Sequence, residues 1–425
     1  MKPLNELGAA EAVALLARRE ISSEELTRAC LERISAREGE VQAWQYLDPQ
    51  AALAQARSAQ ANAATLHGLP VGVKDIIDTA DMPTEYGCQV YQGHRPKADA
   101  ACVEALRRAG AVILGKTVTT QLAYFTPGKT RNPHNPKHTP GGSSSGSAAA
   151  VADFMVPVAL GTQTAGSVIR PASFCGVIGY KATFGEFPMA GVKPLAPSLD
   201  TLGVFARALG DLPLLCEAIG GHKRTAPILR TPPRIGLCRT EQWPLASADA
   251  QAVLLKSAEQ LRKAGAKVDE VDLGDSFRGL FDAQKQVMAV EMARSLARER
   301  TSHPEALGPE LHRLFSEADA CPAESYRSAL PQAEDCRRRL IPVFEKFHAL
   351  LTPSAPGEAP AGLGATGDPA FNRIWTLLHL PCISLPVGRG QQGLPIGIQL
   401  VGEAGGDARL FVVAAWVSSH LPPRA

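Results

Sequence analysis

From Leu69 onward the chain repeats one pattern: short apolar segments of strand length, divided by stretches with helical spacing. Pro70-Val71-Gly72-Val73 is followed by a helical stretch over 101–109 and then by Ala111-Val112-Ile113-Leu114-Gly115. Similar segments recur at 156–161, 234–238, 350–353, 383–387 and 396–400. A segment that is apolar throughout, and not only at alternate positions, must be covered on both faces. That is the situation of a strand in a parallel or mixed sheet enclosed by helices. The sequence therefore predicts an α/β/α fold, a large mixed twisted β-sheet with α-helices on both faces. The first sixty or so residues read as packing helices, because Ser22 with Glu25 forms a capping box ahead of Leu26, Cys30 and Ile34 on one face. Residues 275–348, dense in Arg, Glu, Ala and Leu, read as a helical elaboration forming one wall of a pocket. The whole of 1–425 reads as one domain with its core at about 69–210.

Charge separates the function classes. Lys and Arg total 44 against 42 Asp and Glu, a formal net charge of +2, with the basic residues scattered. No electrostatic footprint for a polyanion is visible, so neither a nucleic-acid partner nor a membrane partner is expected. The longest apolar stretch, 148–160, is too short to span a bilayer and contains Asp153. Nine cysteines are spread singly, without a CxxC pair, and read as small buried hydrophobes in a reducing compartment. The N-terminal residues show no secretory pattern. A cytoplasmic location is expected.

Several motif matches fail on context. Residues 362–367 and 388–393 both fit GxGxxG, but one lies in a Pro/Gly loop and the other joins two strand-like segments, so both read as turns. His134 and His138 have zinc-helix spacing, yet Pro133 and Pro136 forbid a regular helix there. Gly142-Ser143-Ser144-Ser145-Gly146 satisfies GxSxG and would make Ser144 a nucleophile, but His379 and His420 lack the context of a catalytic base.

A stronger constellation joins three segments. Lys74 ends an apolar strand, where low dielectric would depress its pKa and yield a neutral base; the alternative is a lysine paired with Asp75. Ser143 opens the loop Gly141-Gly142-Ser143-Ser144-Ser145-Gly146-Ser147, which runs straight into a helix and so is unlike a flexible linker. Ser167 lies 24 positions downstream, in Gly161-Thr162-Gln163-Thr164-Ala165-Gly166-Ser167-Val168-Ile169-Arg170.

These segments, with Cys175-Gly176-Val177-Ile178-Gly179-Tyr180-Lys181 after them, resemble the amidase signature family over most of the chain. The details resemble bacterial malonamidase-like amidases most: GGSSSGS for the commoner GGSSGGS, Gln163 where many members have Asp, and SVIR for SIR. The resemblance implies a Ser-Ser-Lys triad without metal or organic cofactor. Ser167 would be the nucleophile, Ser143 a bridging serine held by a cis peptide, and Lys74 the terminal base. Backbone amides of Thr164, Ala165, Gly166 and Ser167 would form the oxyanion hole.

Arg170 is expected either to receive a substrate carboxylate or to be a buried structural ion pair. Ala165 stands where the family usually has glycine, and a backbone at φ > 0 there would be strained. The expected reaction is hydrolysis of a small, carboxylate-bearing linear amide. Alternatives are the A-type component of a tRNA-dependent amidotransferase and a catalytically silent scaffold supported by Ala165 alone. The oligomeric state stays open, a homodimer included.

Overall fold

The apolar segments become strands because they are buried along their whole length. β2 (Pro70–Lys74), β3 (Val112–Thr117), β4 (Val158–Gln163) and β9 (Ala349–Pro353) have every residue buried. Backbone withdrawn from water on both faces must satisfy its N–H and C=O groups in a ladder. In the computed structural model, which describes residues 2–59, 64–221 and 229–422, these strands belong to one eleven-stranded sheet. Its other members are β1 (Trp44–Leu47), β5 (Ile178–Lys181), β6 (Thr201–Ala206), β7 (Arg234–Cys238), β8 (Lys267–Val271), β10 (Cys382–Arg389) and β11 (Pro395–Val401). The order is β1-β3-β2-β4-β6-β5-β10-β11-β9-β7-β8. β2 runs parallel to both β3 and β4, and β7 parallel to β8 and β9, whereas the remaining neighbours are antiparallel. The sheet is thus mixed and twisted, with helices on both faces.

Sequence patterning missed β1, β5, β6 and β8. β1 is four residues between the helices Ser23–Val41 and Pro49–Ala59, too short to disturb a helical reading. β8 is a partly exposed edge strand whose charged Lys267, Asp269 and Glu270 hide its pairing with β7.

Two features fix the frame of the site. The helix Ser23–Val41 starts at the expected capping box, in which the Glu25 N–H donates to Ser22 Oγ at 3.1 Å and the Ser22 N–H to Glu25 Oε2 at 2.7 Å. Its Arg33 and Arg37 reach Asp153, at the end of the buried helix Ser145–Ala152, so the N-terminal layer is tied to the serine-rich segment. On the far side, the helices Leu280–Ser295, Ala297–Ser302, Pro309–Ala320 and Ala323–Lys346 follow one another, and the first of them places Met288 and Met292 at the cavities described below and Gln284 against Thr164 O. Among the described residues no helix is long and apolar enough to cross a membrane.

Candidate active site

Lys74 is the last residue of β2 and is fully buried. Its Nζ donates to Ser143 Oγ at 2.7 Å and to Thr162 Oγ1, on the adjacent strand β4, at 2.8 Å. Burial pushes the ammonium down to about 7, with the carboxylate of Asp200 pulling the other way. A Lys74–Asp75 pair does not form, because neighbours along a strand point to opposite faces. Asp75 instead lies 3.3 Å from Lys116 of β3, whose Nζ also donates to Ile77 O and Thr84 Oγ1.

The serine-rich loop is a set of tethered hydroxyls. Ser144 Oγ donates to Thr162 O and accepts the Thr162 N–H, Ser145 Oγ donates to Val118 O, and Ser147 Oγ donates to Leu160 O. Ser144 is completely buried and its hydroxyl is engaged with the backbone of Thr162 as donor and as acceptor, which removes it as an accessible nucleophile. Ser143 alone of the four turns to Lys74, and the Gly142–Ser143 peptide is cis. Gly146 lets the start of the following helix pack against the backbone at Ala43 and Val118: a Cβ there would lie 2.2 Å from Ala43 O and 2.3 Å from Val118 N.

Ser167 sits between β4 and the helix Ile169–Cys175, and lines one narrow cavity together with Ser143, Thr164, Ala165 and Arg170. The turn before it is held from its flanks. Gln163 Oε1 accepts the N–H groups of Val168 and Ile169, while its Nε2 donates to Thr376 Oγ1, whose hydroxyl donates to Ala165 O. Thr164 Oγ1 donates to Asp200 Oδ1 at 2.6 Å, and Thr164 O accepts from Gln284 Nε2 at 2.9 Å. Among the described residues, the N–H groups of Thr164, Ala165, Gly166 and Ser167 have no backbone acceptor. Such a run of unspent donors can stabilise a developing oxyanion.

Ala165 lies outside the left-handed region, so its methyl group carries no conformational penalty, and the argument for a silent scaffold loses its support. Ala165→Gly is expected to change kcat/KM by less than about threefold, since it removes no hydrogen bond. Gly166 is different, because a Cβ there would lie 2.4 Å from Asn372 Oδ1 and 2.7 Å from Pro369 Cβ. Gly166→Ala must therefore shift the turn, and a loss of about 100-fold in kcat/KM is expected. Steady-state ammonia release checks both.

Arg170 is buried and, among the described residues, joins no carboxylate. Its Nη1 donates to Gly367 O, and its Nη2 to Gly142 O at 2.6 Å and Thr366 Oγ1 at 3.2 Å. It therefore clamps the 366–367 loop onto the carbonyl of the Gly142–Ser143 peptide. The GxGxxG-like segment 362–367 is thus more than a turn, as its residues 364–367 line a cavity of about 430 Å³ beside the first. Tyr124, Phe125 and Met288 border both cavities. These wall residues, with Gln284 and Arg373, escaped sequence reasoning; the available signal was a lone arginine in the apolar run Phe371-Asn372-Arg373-Ile374-Trp375.

The remaining candidates disperse. His134 and His138 face different backbone carbonyls, Cys175 O and Ala359 O. His379 stacks on Phe184 and meets Ser198 O and Arg337. Among the described residues no three His, Cys, Asp or Glu side chains converge as a metal-ligand set.

Comparison with known proteins extends the likeness to the whole chain. Residues 25–411 match the Amidase family. The glutamyl-tRNA(Gln) amidotransferase A-type component (GatA) of Anaeromyxobacter dehalogenans is 33% identical, over 99% of this chain and 98% of the relative. Its counterpart in Salinispora arenicola is 32% identical, over 100% and 99%. Among solved structures, a crystal structure of an amidase superposes with TM-score 0.90 at 28% identity, covering 98% of this chain and all of that one. The native peptide amidase of Stenotrophomonas maltophilia gives 0.84 at 28% identity, covering 100% and 98%.

Two expectations are corrected by these findings. The likeness to malonamidase-like amidases gives way to the GatA relatives, which match end to end. The features behind the first reading, GGSSSGS, Gln163 and SVIR, are a few positions of local packing; Gln163, for instance, caps two N–H groups through its carbonyl oxygen. The exclusion of a nucleic-acid partner falls as well, because these relatives are components of a glutamyl-tRNA(Gln) amidotransferase. The net charge of one chain does not report on the assembly it enters. The match runs from the first helical layer to the C-terminal helix, and sequence and structure agree over the full length: the chain belongs to the amidase family, as an amidase-signature hydrolase.

Proposed function

We propose that the chain cleaves a linear carboxylic amide by acyl transfer to Ser167, and that it does so as the ammonia-releasing, GatA-like component of a larger assembly. The observation that carries the chemistry is the 2.7 Å contact between Lys74 Nζ and Ser143 Oγ, at a lysine whose buried ammonium is pushed down to about 7. A neutral lysine accepts the Ser143 proton while Ser143 accepts that of Ser167, whose oxygen then attacks the amide carbon. The oxyanion is received by the N–H groups of the turn 164–167. Collapse breaks the C–N bond, and the proton returns from Lys74 through Ser143 to the leaving nitrogen. Water repeats the relay on the acyl ester to give the carboxylate.

The place in an assembly is supported by the whole-length likeness to the GatA relatives. A second reading, an amidase acting alone on a small carboxylate-bearing amide, is favoured by a different observation. The alignment to the Anaeromyxobacter relative runs over 482 positions, more than the 425 residues of this chain, so the relative carries segments this chain lacks. Ammonia release from L-glutamine and from simple amides, by the purified chain and by the chain captured with its natural partners, separates the two. Glutamine-dependent amidation of glutamyl-tRNA that needs a captured partner supports the assembly; full turnover by the chain alone, without such transfer, supports the free amidase. The nine cysteines are all unpaired, eight of them buried, which supports a reducing, cytoplasmic setting.

A further inference from the structure

We propose that Arg373, and not Arg170, receives a carboxylate on the substrate; this rests on the amidase reading above and assigns the group that sets its specificity. Both guanidiniums are buried, at 7% and 2% exposure, and stand 5.9 Å and 5.5 Å from the centre of the same Phe125 ring. Two like charges held out of water without a paired carboxylate are costly unless something anionic enters between or beside them. The question is which one still has donors to offer.

Arg170 has no complete fork left: both N–H groups of Nη2 are spent on Gly142 O and Thr366 Oγ1 and one of Nη1 on Gly367 O, so its unpartnered Nε and the remaining N–H of Nη1 do not lie side by side. Arg373 spends only Nη1, which donates to Gln284 Oε1 at 2.5 Å. Its Nε is buried without a partner, and among the described residues its Nη2 makes no hydrogen bond. Nε and Nη2 present parallel N–H bonds on one edge of the guanidinium plane, the fork that binds a carboxylate through both oxygens. Asp368, on the same cavity wall, favours the charged guanidinium without forming an ion pair with it within 4 Å. Arg313 on the rim is already engaged by Glu310 and Glu317.

The placement matches a two-ended substrate. The cavity at Ser143 and Ser167 is narrow, about 10 Å³, the space of a single water. The neighbouring cavity of about 430 Å³ is bordered by Arg373. One side chain bridges them: Gln284 accepts from Arg373 and donates to Thr164 O, at the head of the nucleophile turn. An amide seated at Ser167 with a carboxylate a short spacer away can therefore engage both ends at once.

The test compares malonamate, succinamate and glutaramate with neutral alkyl amides of equal length, for wild type, Arg373→Met, Arg373→Lys and Arg170→Met. Arg373→Met is expected to reduce the anionic-to-neutral ratio of kcat/KM by about 100-fold, chiefly through KM. Arg373→Lys keeps the charge but not the fork and should fall between. Arg170→Met should lower both substrate sets alike and leave the ratio in place. A ratio unmoved by Arg373→Met, or moved by Arg170→Met instead, overturns the proposal. So does a wild type without anionic preference. Calorimetric titration of glutaramate into Ser167→Ala, with and without Arg373→Met, reads binding independently of turnover: an affinity loss of about 30-fold or more is expected, and equal affinity overturns the assignment. Failure of the amidase reading shows separately, as absence of Ser167-dependent ammonia release.

Discussion

Ser167→Ala is expected to lower single-turnover ammonia release by about 10⁴-fold or more, the scale of removing a nucleophile whose partners act as a unit. The substitution deletes one oxygen at a position with 9% exposure, at the mouth of the turn 164–167, and leaves the tethers of that turn untouched. A large rate loss with unchanged thermal stability therefore reports chemistry and not collapse. A Lys74→Met, Ser167→Ala double variant should lose little more than Ser167→Ala alone, since a relay without its acceptor or without its nucleophile is equally idle. A fluorophosphonate reagent gives the complementary readout. Stoichiometric labelling at Ser167, absent in the alanine variant, is the expected result. Labelling at Ser144 would return the nucleophile-elbow reading, although Ser144 Oγ is buried and bonded to both the N–H and the carbonyl of Thr162.

The parts of this site legible in the sequence are those in which one local segment carries its own signal. Val71-Gly72-Val73 announces a buried strand, so a lysine at its end announces a perturbed base; Gly/Ser density followed by an alanine run announces a loop entering a buried helix. Contacts between distant segments have no such signal. Lys74 meets Ser143 across 69 residues, and Arg170 meets Gly367 across 197, because β2 and β4 are neighbours in the sheet while the loop after β9 folds over them. The pairing of Asp75 with Lys116 instead of Lys74 follows from strand alternation, and became visible only once β2 and β3 were known to be adjacent. The residues at and behind the wall of the larger cavity were least legible. Gln284 and Arg373 lie on helices whose spacing is spent on packing, and a buried polar side chain there differs from its neighbours by a single letter.

Lys74 also fixes a pH dependence of determinate sign. Its proton must be absent for the relay to run, and burial pushes its pKa from the ordinary 10.5 to about 7. Below that value the ammonium form dominates in the folded chain, so kcat/KM should rise about tenfold per pH unit through the acid range and level off above about 7. Asp200 acts against the shift; it is buried, is itself pushed up to about 6, and accepts from Thr164 Oγ1 and the N–H groups of Leu195 and Ala196. Asp200→Asn should therefore move the ascending limb to lower pH. Stability rises with pH as activity does, but in a higher window, between about 7 and 10.5. An unfolded lysine keeps its proton up to about 10.5, so the folded chain bears the cost of the depressed pKa in full below about 7, and the cost fades as pH rises toward 10.5. Lys74→Met should abolish the ascending limb, and its stability relative to wild type should be more favourable at pH 6 than at pH 9, read from thermal melts at the two values. An unchanged limb would remove Lys74 from the relay, and a stability difference that did not depend on pH would mean that its ammonium is not destabilised by burial.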